Sequence, residues 1–167
     1  MNKGLFIDTA NLYFCVKKCF TGKKIDYKKL IQKLGPFDYL HAYGIRVHSE
    51  AKGFIKSLQD LNFTTRFVKV TSNKYTNLNV DIVIDTIRRI TKLESVFIGS
   101  SDRDLLPFIQ WLKEQGIKVT IVGCGIPLDL LYTKVNVIEI SEDYLENATQ
   151  TKNSINQTTE TTSAPGL

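Results

Sequence analysis

Two short apolar runs in this chain break off directly into aspartate. The first is Gly4-Leu5-Phe6-Ile7-Asp8; the second is Val96-Phe97-Ile98-Gly99, followed by Ser100-Ser101-Asp102-Arg103-Asp104. Apolar runs this short, without polar alternation, read as strands buried on both faces, and such strands belong to parallel sheets covered by helices. In open α/β sheets, ligands bind beyond the carboxyl ends of the strands, where the strand order switches. Acids placed there are therefore candidates for chemistry, provided the two strands are neighbours.

The remaining segments alternate as such a fold requires. A helix is expected from Asn11 to about Phe20, broken by Thr21-Gly22, and Asp26 caps a second from Tyr27 to Leu34. Strand-like runs follow at Tyr39 to Val47 and Thr64 to Val70, separated by a helix from Glu50 to Leu61 that Ser49 can cap. After the polar loop Thr71 to Asn77, an apolar helix opens at Asn79 or Val80 and runs to about Lys92. The strand at Val96 leads to a helix from Leu106, with Pro107 in its first turn and Gly116 as its stop. Ile117 to Val122 and Val135 to Ile140 complete the strands, with a short helix at Pro127 to Tyr132 between them. The alternation predicts one α/β domain with a mostly parallel central sheet.

A chain of 167 residues suits one domain, here 1–147. From Ala148 the sequence is Thr-, Ser- and Asn-rich and nearly free of large apolar residues, so 148–167 is expected to be a disordered polar tail. No apolar run approaches the roughly 20 residues of a membrane helix. Asp8 and Asn11 interrupt the first apolar run, which is therefore not a signal-peptide core, and a cytoplasmic location is expected. The three cysteines argue against a disulfide framework. Cys15 and Cys19 share a helix face, but their spacing to His41 or His48 matches no zinc finger or ribbon; reduced, buried thiols are expected.

The acids are the strongest candidates. Asp8, Asp102 and Asp104 would converge if their strands were adjacent, with Asp81 arriving from a helix terminus and Asp85 one turn further along the same face. Carboxylates so placed repel one another, and Mg²⁺ or Mn²⁺, which prefer oxygen ligands, would relieve the repulsion. Each acid also has a structural alternative. Asp8 can cap the helix after its strand, Asp102 and Asp104 can cap the next one, and Asp85 can pair with Arg88 or Arg89. Asn11, Ser100 and Ser101 are expected to support the acids or a phosphate. The net charge is +5, and Lys17, Lys18, Lys23 and Lys24 open a lysine-rich stretch interleaved with Tyr13, Phe14, Phe20 and Tyr27. That stretch is either a solvated helical face or a phosphate-contacting rim.

Three motifs together resemble the NYN domain family, the LabA-like branch of the PIN-like nucleases. They are Phe6-Ile7-Asp8-Thr9-Ala10-Asn11-Leu12, Asn79-Val80-Asp81-Ile82-Val83-Ile84-Asp85, and Ser100-Ser101-Asp102-Arg103-Asp104-Leu105 before Pro107. The resemblance spans roughly Lys3 to Ile140. It implies a three-layer, Rossmann-like (PIN-like) sheet, a Mg²⁺ or Mn²⁺ site on Asp8, Asp81, Asp102 and Asp104 as catalytic and metal-binding residues, and RNA as substrate. Asn79 and Asp85 are further supporting positions, and Lys17, Lys18, Lys23 and Lys24 would contact the RNA backbone. Thr9 and Ser101 stand where the family often has glycine, and the family's first helical acid falls on Asn79 or on Asp81. A second reading is a non-catalytic RNA-binding module on the same fold. A homodimer is left open. A haloacid-dehalogenase-type site would need an aspartate at Ala10, a receiver domain a second early acid, and a Toprim domain an early glutamate.

Overall fold

The computed structural model describes residues 2–46, 51–69 and 77–148. The expected cap at Ser49, most of the polar loop after Val70 and nearly all of the tail lie outside these residues. In chain order the main elements are β1 (Lys3–Asp8), α1 (Thr9–Cys19), β2 (Lys23–Ile25), α2 (Tyr27–Leu34), β3 (Tyr39–Arg46), α3 (Ala51–Asp60) and β4 (Thr64–Lys69). They continue with α4 (Leu78–Ile87), β5 (Ser95–Gly99), α5 (Leu106–Glu114), β6 (Lys118–Gly123), α6 (Leu128–Leu131), β7 (Asn136–Glu139) and β8 (Leu145–Asn147). Among the described residues no helix is long and apolar enough to cross a membrane.

Six strands form one sheet in the order β4-β3-β1-β5-β6-β7, and every pairing in it is parallel. The chain builds outward from β1 through β3 to β4, returns beneath α4, and builds outward again from β5. The reversal therefore falls between β1 and β5, the two acid-terminated strands. Their register places Ile7 opposite Gly99, as the two apolar runs anticipate. On the other flank Asp8 is in register with Tyr43 of β3.

Alternation along β1 divides the interior into two layers. Phe6 joins Tyr43, Ile82, Ile98, Ile109 and Ile121 on the face covered by α4 and α5. Leu5 and Ile7 join Leu12, Val16, Leu30 and Leu58 on the face covered by α1, α2 and α3. The central strand thus buries both faces, which is why its sequence shows no polar alternation.

The first turn of α1 lies very close to β3, and Gly44 makes the approach feasible. A Cβ there would fall 2.3 Å from a Phe67 ring carbon and 2.5 Å from the Thr9 hydroxyl. That hydroxyl donates to the Tyr43 carbonyl at 2.8 Å, fixing the start of the helix against the sheet.

The structure departs from the sequence expectations in three places. First, α1 begins at Thr9 rather than Asn11, directly after the strand, because Asp8 itself is the cap. Second, α4 ends at Ile87 and is followed by a tighter three-residue turn, Ile90–Lys92. The Thr86 hydroxyl bonds back to the Ile82 carbonyl at 2.8 Å, and the Arg89 guanidinium takes the Asp85 carbonyl at 2.8 Å. Such back-bonding weakens the regular ladder at a helix end. Third, β2 and β8 form a separate antiparallel ribbon, in which Lys24 lies opposite Glu146. Ala148 continues it, its amide donating to the Gly22 carbonyl at 2.8 Å.

Candidate functional site

The site is built from two turns that leave β1 and β5 side by side. Asp8 closes β1 with an extended backbone and caps α1, its Oδ1 accepting from the amides of Ala10 and Asn11, both at 2.9 Å. The side chain is nearly buried. Burial pushes its carboxyl above the usual aspartate range, the two amides pull it back, and the charge of Asp102 pushes it up again. Asp8 therefore senses the charge of Asp102 across the switch point.

Asp102 is held from three sides. Its amide donates to the Ser100 hydroxyl oxygen at 3.2 Å, and its Oδ1 accepts from the Asp104 amide at 3.0 Å. Its Oδ2 accepts from the side-chain amide of Asn79 at 2.8 Å. The adjoining amide of Ser101 donates to the Asn11 side-chain oxygen at 2.9 Å, which ties the β5 loop to α1. Asp104 is exposed at the rim of this loop.

Asn79 enters from the first turn of α4, which Asn77 caps by accepting from the Asn79 amide at 3.0 Å. The Asn79 side chain is buried, and its Oδ1 has no hydrogen-bond partner among the described residues. An orphaned buried carbonyl oxygen costs free energy unless a water or cation satisfies it. Of the two helical positions left open by sequence, it is Asn79 that contacts Asp102.

Asp81 and Asp85 occupy a neighbouring group. Asp81 forms an ion pair with Arg66 of β4, Nη2 to Oδ1 at 2.9 Å. Asp85 accepts from the Tyr43 hydroxyl at 3.1 Å and lies near Arg88 at 3.4 Å and Arg89 at 3.8 Å. Burial, with the Asp85 charge next, pushes the Tyr43 phenol well above its usual range. Tyr43 and Arg66 were not among the candidates from sequence. Both sit in ordinary strand patterns, and only the strand order brings them to α4. The capping and pairing alternatives for Asp8, Asp102 and Asp85 all occur in the structure. Among the described residues no group of three or more His, Cys, Asp or Glu side chains is close enough to hold a metal ion.

The four lysines divide into two pairs. Lys17 and Lys18 are exposed in the last turn of α1, with Lys17 over the Tyr13 ring at 5.8 Å. Lys23 and Lys24 lie on β2 and engage β8, through Asn147 at 3.1 Å and Glu146 at 3.2 Å. Beside them is an apolar cavity of about 610 Å³ whose lining includes Thr9, Tyr13, Phe14, Tyr27, Phe54 and Phe67. Tyr13 and Phe14 are exposed aromatic residues.

A model of the NYN domain matches residues 2–140. A crystal structure of a protein of unknown function from Vibrio parahaemolyticus RIMD 2210633 is similar in fold. It superposes with a TM-score of 0.75 at 17% identity, covering 87% of this chain and 96% of that one. Comparison with curated proteins yields no match.

Proposed function

The chain belongs to the NYN domain family, a nuclease-related PIN-like family, and from that premise we propose that it hydrolyses RNA phosphodiester bonds with Mg²⁺ or Mn²⁺. The observation that carries the reading is the pairing of Asp8 and Asp102 at the strand switch, where the charge of Asp102 disfavours ionisation of Asp8. Two carboxylates and a buried, unsatisfied amide oxygen make an all-oxygen donor set. That set suits Mg²⁺, which takes one or two carboxylates and keeps much of its hydration shell.

In this reading Asp8 and Asp102 hold the cation. Asn79 orients Asp102, and its Oδ1 is a further neutral donor. Asp104 and Asp81 add carboxylates at the rim, and Asp85 supports the arrangement through Tyr43. Asn11 and Ser101 fix the two turns relative to one another, and Ser100 braces Asp102. A bound divalent cation supplies charge neutralisation at the scissile phosphate and lowers the pKa of the attacking water. Lys17 and Lys18 would hold the backbone by charge, and the aromatic faces of Tyr13 and Phe14 suit an unpaired base.

The test is cleavage of labelled single-stranded RNA in Mn²⁺ and in EDTA, by wild type and by Asp8→Asn purified identically. Cleavage should require the metal and fall at least about 100-fold in the variant, the scale of losing one charge-stabilising group. Equal cleavage by both proteins would identify a contaminant. A specific observation favours the second reading, a non-catalytic RNA-binding module. The side chain touching Asp102 is an amide rather than an acid, and Arg66 already neutralises Asp81. RNA binding by both proteins with cleavage by neither would support it.

A further inference from the structure

All three cysteines meet at the end of β6, although they come from α1 and from a residue more than one hundred positions later. Cys124 directs its thiol at the Cys15 sulfur, with the two Sγ atoms 2.7 Å apart. The Cys124 amide also donates to the Cys15 sulfur at 3.2 Å, and the Cys15 sulfur touches the Cys124 carbonyl oxygen. Cys15 is half-buried, Cys124 buried and Cys19 exposed. We propose that Cys15 and Cys124 are a thiol–disulfide site, which closes to an intramolecular bond on exchange with a small-molecule disulfide such as oxidised glutathione.

The surroundings assign the order of events. Cys15 accepts from the Cys124 thiol and the Cys124 amide, the Ser101 hydroxyl lies against it, and Lys18 adds positive charge. Led by the Cys124 thiol and against the cost of burial, these groups favour its anion and draw the thiol below its ordinary value. Its hydrogen bond to the Cys15 sulfur, then burial, push Cys124 the other way. The Cys15 thiolate therefore attacks one sulfur of the small disulfide, whose S–S bond breaks as one thiol departs. Cys124, losing its proton, then attacks the Cys15 sulfur and displaces the second thiol. Two protein thiols are oxidised and one small disulfide is reduced; the two protons leave on the released thiols.

The bond would join α1 to the end of β6 across the loop that carries Asp102. Ser101 stands at that junction, with its hydroxyl 3.7 Å from the Cys15 sulfur and 3.4 Å from the Cys124 carbonyl. Its amide is held by Asn11, one helical turn before Cys15. Oxidation would thus remove a thiol partner from Ser101 and clamp the two sides of the switch-point crevice.

The experiment incubates the full chain with oxidised glutathione, alkylates the remaining thiols, and maps the linkage by mass spectrometry. The readout is covalent and independent of any activity on RNA. Loss of two hydrogens, a Cys15–Cys124 linked peptide and an alkylated Cys19 are expected, with the bond reversed by dithiothreitol. Cys19→Ser should keep the bond. In Cys124→Ser the reaction should stop at a glutathione adduct on Cys15. Bond formation should be at least about tenfold faster in native buffer than in denaturing urea, because the fold supplies the proximity. Three alkylated thiols after oxidation, a linkage through Cys19, or equal rates in urea would overturn the proposal.

Discussion

The side-chain amide of Asn79 donates to Asp102 Oδ2 at 2.8 Å, while its own carbonyl oxygen is buried without a partner among the described residues. The first half of that relationship holds one carboxylate of the candidate site in place. The second half leaves a neutral oxygen beside it. Position 79 therefore controls both the charge and the donor count where α4 meets the β5 loop.

Replacing Asn79 with aspartate exchanges a hydrogen-bond donor for a further charge against Asp102. In EDTA the variant should be less stable than wild type, by about 1–3 kcal/mol, the cost of losing a buried bond and adding repulsion. Mn²⁺ should reverse the order, because a ligand bound only by the folded state stabilises it in proportion to its affinity. Thermal melting with and without Mn²⁺ measures both effects. An equal response to Mn²⁺ in the two proteins would remove position 79 from the metal site.

Asp8→Asn acts in the opposite direction. The folded pKa of Asp8 is raised, so its contribution is fully present below the unfolded value of 3.8 and is lost as pH rises through the folded one. At neutral pH the ionised side chain is a net cost. Asparagine retains the capping oxygen that α1 requires. In EDTA at neutral pH the variant should melt higher, by about 2–4 °C for each kcal/mol of repulsion and desolvation removed. A lower melting temperature would show that the cap, not the charge, dominates.

Gly44 offers a check on the approach of α1 to β3. Gly44→Ala places a methyl group against the Phe67 ring and the Thr9 hydroxyl. Overpacking of this kind costs about 1–3 kcal/mol, and it should also loosen the turn that presents Asp8. Urea unfolding gives the stability change; an unchanged midpoint would mean that Phe67 moves aside freely.

The layered fold was legible because the relevant signals are local. Unalternating strands, an apolar α4 and the stop at Gly116 each follow from a few neighbouring residues. The adjacency of β1 and β5 was also legible, since two acid-terminated buried strands suit one switch point. The β2–β8 ribbon was not: its strands have three residues each, and their pairing joins segments over one hundred residues apart. For the same reason sequence left Asn79 and Asp81 undecided. The two residues face different partners, Asp102 and Arg66, and the direction of each side chain depends on where α4 crosses the sheet. The cysteines were anticipated as buried, reduced thiols; Cys124 is buried, but Cys15 is half-buried and Cys19 exposed, and periodicity could relate only Cys15 to Cys19. The contact with Cys124 depends on the position of β6.

The lysines separate by what they already bind. Lys23 and Lys24 contact β8, so neutralising them should disturb that ribbon as well as any RNA contact. Lys17 and Lys18 are the cleaner test. The double change to glutamine should weaken binding of single-stranded RNA and flatten its dependence on log salt by about 0.7 per lost phosphate contact. Fluorescence anisotropy across a salt series measures the slope. An unchanged slope would return the end of α1 to the status of a solvated face.

His41 carries the acid sensitivity of the core. It is buried in β3, with its ring 5.3 Å from Phe6 and 6.3 Å from Tyr43. Burial first, then the Arg89 charge, hold it down to about 4, against an opposing pull from Asp85. Between that value and the unfolded value of 6.5, the unfolded chain binds a proton that the folded one refuses. Stability therefore falls as pH drops through this window, with a limiting slope of about 1.4 kcal/mol per pH unit from this group alone. The folded carboxyl of Asp8 is itself raised, so the comparison that isolates His41 is with His41→Gln. Urea midpoints measured from pH 7 to pH 4.5 should fall more steeply for wild type than for the variant. Parallel slopes would mean that His41 accepts a proton without leaving the core.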